Sequence, residues 1–268
     1  MKWTDIQTGK ARSAFQHFMV ALGNQAEVVM DRINAEPMFV QRLAAYVLNG
    51  SVEPTVSQKR GHEIMGRNMF SVEEAIKHFG VDPTRLQLVA LSEIPFSGMA
   101  LERAKDTHIL VAVFPLSILD IHGNVQDKGL FGNQDYYKKE FFAKKRGEAT
   151  WQLVRKTPVD NSTSKNWQEQ RALLGKKDEV PSAQVMVYTI IGHFLATGER
   201  LFENVYVRTS SVFSSGPYVR VGRFDAKGLF VDRCRDDSGR ALLEVSAAQK
   251  RALLEVSAAQ KCSRTSRS

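Results

Sequence analysis

The stretch from residue 182 to residue 197 constrains the fold most, because it is apolar around most of a helical circumference. Pro181 and Ser182 are typical of a helix start, and Gly198 is typical of a helix end. A helix that lacks a polar face cannot lie on a protein surface. The sequence therefore predicts a buried central helix, around which the rest of a domain is built.

Short segments on both sides of this helix predict β-strands. An apolar run at residues 109–119 and an alternating segment at 150–154 precede the helix. Three alternating segments follow it, at residues 204–209, 218–224 and 229–233, separated by turn-forming residues. Consecutive strands joined by short turns form an antiparallel meander. We therefore predict an α+β fold with a buried central helix and an antiparallel β meander.

The N-terminal part of the chain predicts helices. Apolar residues recur at helical spacing over residues 11–22, 26–33 and 38–48. Residues 51–68 contain a proline and two glycines, and they predict a polar loop.

Three regions follow from these patterns: a helical segment at residues 1–50, a main domain at 69–235 and a tail at 236–268. In the tail, residues 240–250 (RALLEVSAAQK) recur without change as residues 251–261. An 11-residue period fits three turns of a helix. We therefore predict a peripheral, frayed helix, with a partner-binding helix as the alternative.

Residues 71–92 predict two short helices joined by a tight turn. Ser71 and Glu74 have the spacing of a capping box, and Gly80 is placed to end the first helix. Asp82 precedes a proline, which is favoured at the first helical position, so we expect it to start the second helix.

The segment EEAIKHFGVDPTRL (residues 73–86) resembles the helix-turn-helix module of bacterial DNA-binding proteins. The resemblance implies that Thr84, Arg85 and Gln87 face DNA. Residues 71–92 carry a net charge of −1, however, which offers phosphates no attraction. The second helix is also more apolar than a groove-facing helix can be. An ordinary helical hairpin in the core is the alternative.

The positive charge of the chain is concentrated in residues 138–177. The chain has 37 Lys and Arg against 29 Asp and Glu, a formal net charge of +8. Residues 138–177 hold eleven basic and four acidic residues, so they account for +7 of that charge. Localised positive charge attracts polyanions. A solvated surface with scattered lysines is the alternative.

Aromatic residues are interleaved with these basic residues. The region is predicted to comprise a helix at 135–146, a strand at 150–154, a polar loop at 157–165 and a short helix at 165–174. Basic groups neutralise phosphates, and aromatic faces stack on unpaired bases. The aromatic residues are Tyr136, Tyr137, Phe142, Trp151 and Trp167. The predicted nucleic-acid site comprises Lys138, Lys139, Lys144, Lys145, Arg146, Arg155, Lys156, Lys165 and Trp167.

Enzyme and metal motifs are missing from the sequence. There is no Gly-x-Ser-x-Gly elbow, phosphate-binding loop or dinucleotide fingerprint. The six histidines lie far apart, and Cys234 and Cys262 lack metal-ligand spacing. We therefore expect no metal, no cofactor and no catalytic residue. Asp120 and His122, which follow a predicted strand, are the one candidate pair, and a turn cap is their alternative role.

No apolar run approaches the roughly 18 residues that a membrane helix needs, and the N-terminus lacks the apolar core of a secretory signal. We therefore expect a cytoplasmic protein without membrane association.

Three stretches are similar to a group of bacterial proteins that has no assigned activity. They are THILVAVFPLSILDI (107–121), KTPVDNSTSKNW (156–167) and VMVYTIIGHFLATGERLFENVYVRTSS (185–211). The resemblance covers about residues 70–235. It implies a bacterial origin and supplies no site residues.

The leading hypothesis from the sequence is a cytoplasmic, non-catalytic binding protein that associates with nucleic acid through residues 138–177. The alternative is a structural or protein-interaction module whose basic surface meets an acidic protein. An enzyme of unrecognised type is the third hypothesis, and the oligomeric state stays open.

Overall fold

A computed structural model describes residues 13, 15–17, 19–20, 23, 26–35, 53–176, 178–235 and 243–249. The chain divides into two units, Met1–Glu53 and Pro54–Ser268. In the first unit, helix α1 spans Ala26–Ala35 and confirms the helix predicted there. The helix predicted at 38–48 lies outside the described residues.

The second unit begins with a helix where the sequence predicted a loop. Helix α2 spans Val56–Met65, so the loop predicted at residues 51–68 is wrong. The Thr55 hydroxyl accepts from the Gln58 amide at 3.2 Å, and the Gln58 side chain accepts from the Thr55 amide at 2.8 Å. This capping box starts the helix. Gly61, which suggested a loop, lies inside α2, where a Cβ atom would be 2.3 Å from Ile94 Cδ1.

Strand β1, Met69–Phe70, leads into the predicted pair of helices. Helix α3 spans Val72–Phe79, with the capping box of Ser71 and Glu74 in place, and Gly80 ends it with φ 61°. Helix α4 spans Arg85–Leu91. It starts two residues later than predicted, because the hydroxyl of Thr84 caps it instead of Asp82.

The predicted central helix is confirmed as α9, Ala183–Thr197. The Ser182 hydroxyl accepts from the Val185 amide at its start, and Gly198 follows its end. Ten of its 15 residues are buried. The helix contacts strands of both sheets, which explains why it has no polar face.

The first sheet has the strand order β1-β2-β3-β9-β4. Strand β2, His108–Val113, pairs antiparallel with β3, Thr150–Arg155. Only the first part of the apolar run at 109–119 belongs to β2, because Ser117 then caps helix α6, Ile118–Asn124. The remaining strands are β4, Asp178–Glu179, and β9, Ala248–Gln249.

The second sheet has the order β7-β6-β5-β8. Its strands are β5, Tyr206–Val212; β6, Tyr218–Asp225; β7, Gly228–Cys234; and β8, Leu243–Val245. The first three form the predicted antiparallel meander, and β8 pairs parallel with β5. The α+β fold is therefore confirmed.

The first copy of the repeated sequence is not a peripheral helix over residues 243–249. Those residues form β8 in one sheet and β9 in the other. Leu243 and Val245 are fully buried, and Ala248 is almost so. The helical period misled the prediction because these small and apolar residues also fit a strand buried on both faces. Residues 251–261 lie outside the described residues.

Shorter helices complete the second unit: α5, Gly98–Ala104; α7, Phe141–Lys144; and α8, Trp167–Ala172. The helix predicted at 135–146 is instead a 3-10 turn, Tyr136–Lys139, followed by α7. The break falls at Glu140, whose extended backbone places its carboxylate against the amide and hydroxyl of Ser214. In the described part of the chain, no helix is long and apolar enough to cross a membrane.

Candidate ligand cleft

A cleft of about 690 Å³ opens where the start of α9 meets α7 and the strands of both sheets. Strands β2, β3 and β4 contribute from the first sheet, and β5 contributes from the second. Cavities of roughly 300–1,000 Å³ hold small ligands in proteins. We refer to this feature as the α9 cleft.

Apolar side chains form part of the α9 cleft. Val113, Phe142, Val185 and Val212 line it, together with Phe141. Phe141 is 76% exposed, whereas its neighbour Phe142 is buried. A ligand with an apolar body would therefore gain by covering the ring of Phe141.

Polar side chains also line the cleft, and Gln184 is the most constrained of them. It is only 6% exposed, and its Nε2 donates to the Leu116 carbonyl at 2.8 Å. Its side-chain oxygen has no donor among the described residues and lies 3.1 Å from where a Cβ atom on Gly147 would be. The remaining hydroxyl and amide groups belong to Thr150, Gln152, Ser182, Ser210 and Ser211.

The start of α9 lines the cleft, so the first backbone amides of this helix lie at the cleft. The Ala183 amide donates to Ser211 Oγ at 3.0 Å, and the Val185 amide donates to Ser182 Oγ at 3.3 Å. Within the described ranges, no acceptor contacts the Gln184 amide between them. A free amide at the start of a long helix attracts negative charge.

Three charged side chains line the α9 cleft: Lys145, Glu148 and Glu179. All three are exposed, and none forms an ion pair with another described residue. Lys145 belongs to the predicted nucleic-acid site, whereas the two glutamates were missed. Glu148 and Glu179 lie 31 residues apart in the chain, so no local pattern could have linked them.

Chemically, the cleft offers hydrogen bonds and charges of both signs. Its described lining holds no histidine or cysteine, and no cluster of metal-ligating side chains occurs among the described residues. The hydroxyls of Ser182 and Ser211 accept from helix amides, which fixes their positions. The arrangement suits the binding of a polar ligand.

Some of the predicted nucleic-acid residues are engaged by neighbouring acids. Lys138 Nζ lies 2.6 Å from Asp135, and Arg155 lies 3.5 Å from Asp160. Lys139, Lys144 and Lys145 are exposed, and Lys156 and Lys165 are half-buried.

Arg146, a further predicted residue, is held by Asp120. Its Nε and one terminal nitrogen each donate to the carboxylate at 2.8 Å. This pair, together with Ser117, lowers the pKa of Asp120 to about 2. Asp120 therefore anchors Arg146. His122 instead lies against Phe131, at a ring distance of 4.6 Å. Neither Asp120 nor His122 lines the α9 cleft.

The interleaved aromatic residues belong mainly to the core. Tyr137, Phe142 and Trp151 are buried, and the Trp151 indole donates to the Leu91 carbonyl at 2.9 Å. Trp167 is 9% exposed and packs against Tyr218 at a ring distance of 4.6 Å. Their faces are thus covered by protein.

The three helix-turn-helix-like residues sit at the start of α4. The Thr84 amide donates to the Gln87 side-chain oxygen, and the Gln87 amide donates to the Thr84 hydroxyl, so both of these oxygens are engaged in capping. Arg85 is exposed, but so is Leu86, at 81%. The apolar surface foreseen on this helix is thus partly exposed.

No protein-family model, no curated protein and no solved structure matches the chain. The resemblances to the bacterial proteins and to the helix-turn-helix module therefore stay predictions.

Proposed function

We propose that this protein binds a small zwitterionic ligand, with an ammonium group, a carboxylate and an apolar body, in the α9 cleft. The observation that carries the proposal is the presence of Lys145, Glu148 and Glu179, all without ionic partners among the described residues, in one cleft. Amino acids and short peptides with apolar side chains have this chemistry.

The carboxylate of the ligand belongs at the start of α9. The helix is 15 residues long, and its N-terminus carries a partial positive charge. The free Gln184 amide can donate to a carboxylate, and Lys145 supplies a full positive charge. Charge-assisted hydrogen bonds of this kind are stronger than neutral ones.

The ammonium group belongs near Glu148 and Glu179. Two carboxylates that no described cation neutralises favour a positive ligand group. The free side-chain oxygen of Gln184 adds a neutral acceptor. The apolar body then covers Phe141, which is 76% exposed.

Isothermal titration calorimetry with three matched probes tests the proposal. Phenylalanine carries both charges, phenethylamine lacks the carboxylate and 3-phenylpropionate lacks the ammonium group. We expect phenylalanine, or a dipeptide that contains it, to bind at least about tenfold more tightly than either half-molecule. Equal affinity for all three probes, or no binding, would contradict the proposal.

Single-stranded nucleic acid is a second candidate ligand, supported by the surroundings of Phe141. This exposed ring lies in the chain between Lys139 and the exposed pair Lys144 and Lys145. An exposed aromatic beside lysines can stack a base while the lysines neutralise phosphates.

A salt titration with a labelled single-stranded oligonucleotide tests this candidate. Affinity should fall steeply between about 50 and 200 mM salt if several phosphates are contacted. The double substitution Lys144→Ala and Lys145→Ala should flatten the salt dependence. The double substitution Lys59→Ala and Lys227→Ala, at exposed lysines outside residues 138–177, is the matched control. Absence of binding at low salt would exclude it.

A further inference from the structure

Residues 243–249 fill a slot that joins the two sheets. Strand β8 pairs with β5 through Tyr206 opposite Leu243 and Arg208 opposite Val245. Four residues after Val245, strand β9 ends at Gln249, having paired with β3 on one side and β4 on the other. One short segment thus supplies a strand to each sheet.

Loops around the slot also recognise this segment. The Val159 amide donates to the Val245 carbonyl at 2.8 Å, and the Gln170 side chain donates to the Leu243 carbonyl at 3.1 Å. The Arg155 amide donates to the carbonyl of Ala247 at 2.8 Å.

The side chains of the segment are enclosed as well. Leu243, Val245 and Ser246 have no exposed surface, and Ala247 and Ala248 have 1%. Because burial is this complete, few sequences fit the slot. The slot therefore selects for the five buried residues of the sequence LEVSAAQ, which are the leucine, the valine, the serine and the two alanines.

Residues 254–260 have that same sequence, within the repeat at 251–261. They lie outside the described residues. Every slot contact that the first copy makes is chemically available to the second, since the two copies are identical. We propose that the two copies compete for the slot, so that the chain exchanges between two registers 11 residues apart.

The length of the connection after Arg235 decides which register is favoured. The first copy is reached through the seven residues 236–242, and the second through the eighteen residues 236–253. The entropic cost of closing a loop grows as 3/2 RT times the logarithm of its length. The shorter connection therefore favours binding of the first copy over the second about fourfold. About one molecule in five then uses the second copy.

Matched substitutions test the exchange. Val245→Asp places a carboxylate in the slot when the first copy is used, and Val256→Asp does the same for the second. Folding equilibrium constants come from urea denaturation of the full chain. We expect the folding equilibrium constant to fall about fivefold for Val245→Asp and to change little for Val256→Asp. For the double variant we expect it to fall more than about a hundredfold.

Hydrogen exchange identifies the copy in use. Amide protection should lie at residues 243–249 in Val256→Asp and move to residues 254–260 in Val245→Asp. If Val245→Asp is as unstable as the double variant, or leaves the second copy unprotected, the proposal is wrong.

Protein concentration separates exchange within one chain from exchange between chains. We expect the unfolding midpoint of Val245→Asp to be unchanged over a tenfold range of concentration. A midpoint that rises with concentration would mean that another chain fills the slot, which contradicts exchange within one chain.

Discussion

At the scale of single residues, neighbours that are distant in sequence decide what each charge does. Lys145 and Arg146 are adjacent in the basic region, yet Lys145 lines the α9 cleft while Arg146 is held by Asp120. A net charge counted along the chain treats both equally. The sequence therefore indicated where basic residues are concentrated, but not which of them are free to bind.

Neutralising the charges of the cleft should change ligand selectivity as well as affinity. We expect Lys145→Gln to weaken phenylalanine binding about five- to tenfold and to reduce its advantage over phenethylamine by the same factor. The pair Glu148→Gln and Glu179→Gln should abolish the advantage over 3-phenylpropionate. Calorimetry measures both effects.

Two variants outside the cleft are the matched controls. Lys144→Gln and Glu203→Gln remove exposed charges of each sign that do not line the α9 cleft. If either control alters selectivity as strongly as the cleft variants do, a general charge effect is the cause and the ligand site is misplaced.

The ion pair of Asp120 and Arg146 should make stability depend on pH in acid. The pKa of Asp120 is lowered from 3.8 to about 2, chiefly by the hydrogen bond from Arg146. A lowered pKa stabilises the folded state above pH 3.8, and this contribution is lost as the pH falls toward 2. The free energy of unfolding of the wild type should therefore approach that of Asp120→Asn over this range.

Urea denaturation at pH 5, 4, 3 and 2 measures this convergence. The substitution Asp106→Asn removes an exposed carboxylate that forms no ion pair among the described residues, and it is the control for the loss of a carboxylate as such. A difference between Asp120→Asn and the wild type that does not shrink as the pH falls would mean that the ion pair does not contribute.

At the scale of elements, capping residues and glycines in the sequence predicted the ends of a helix correctly where those residues satisfy the backbone hydrogen bonds at its ends. Helix α3 has the predicted bounds because Ser71, Glu74 and Gly80 satisfy its two ends. Helix α2 was missed because Gly61 suggested a loop, although glycine is needed there for close packing against Ile94. A contact between distant residues thus overrode a local preference.

The β meander should be intolerant of a side chain at Gly222. This residue has φ 147°, and a Cβ atom would lie 2.2 Å from the Val205 carbonyl oxygen. We expect Gly222→Ala to lower the free energy of unfolding by about 2–4 kcal/mol, because backbone atoms must move.

Gly216→Ala is the matched control, since φ is 103° there but no atom lies within 4 Å of the added Cβ. Gly216→Ala should lower the free energy of unfolding, measured by urea denaturation, by only about 1 kcal/mol. Equal losses for the two variants would show that conformation alone, without the clash at Gly222, limits these positions.

At the scale of the whole molecule, the sequence by itself determined the α+β class, the central helix and the meander. These follow from periodicity and end signals, which act over a few residues. The tertiary structure alone decided that Glu148 and Glu179 line the same cleft, that Arg146 binds Asp120, and that residues 243–249 supply a strand to each sheet. Such contacts join residues that are remote in the chain, and the burial that creates them leaves no local pattern.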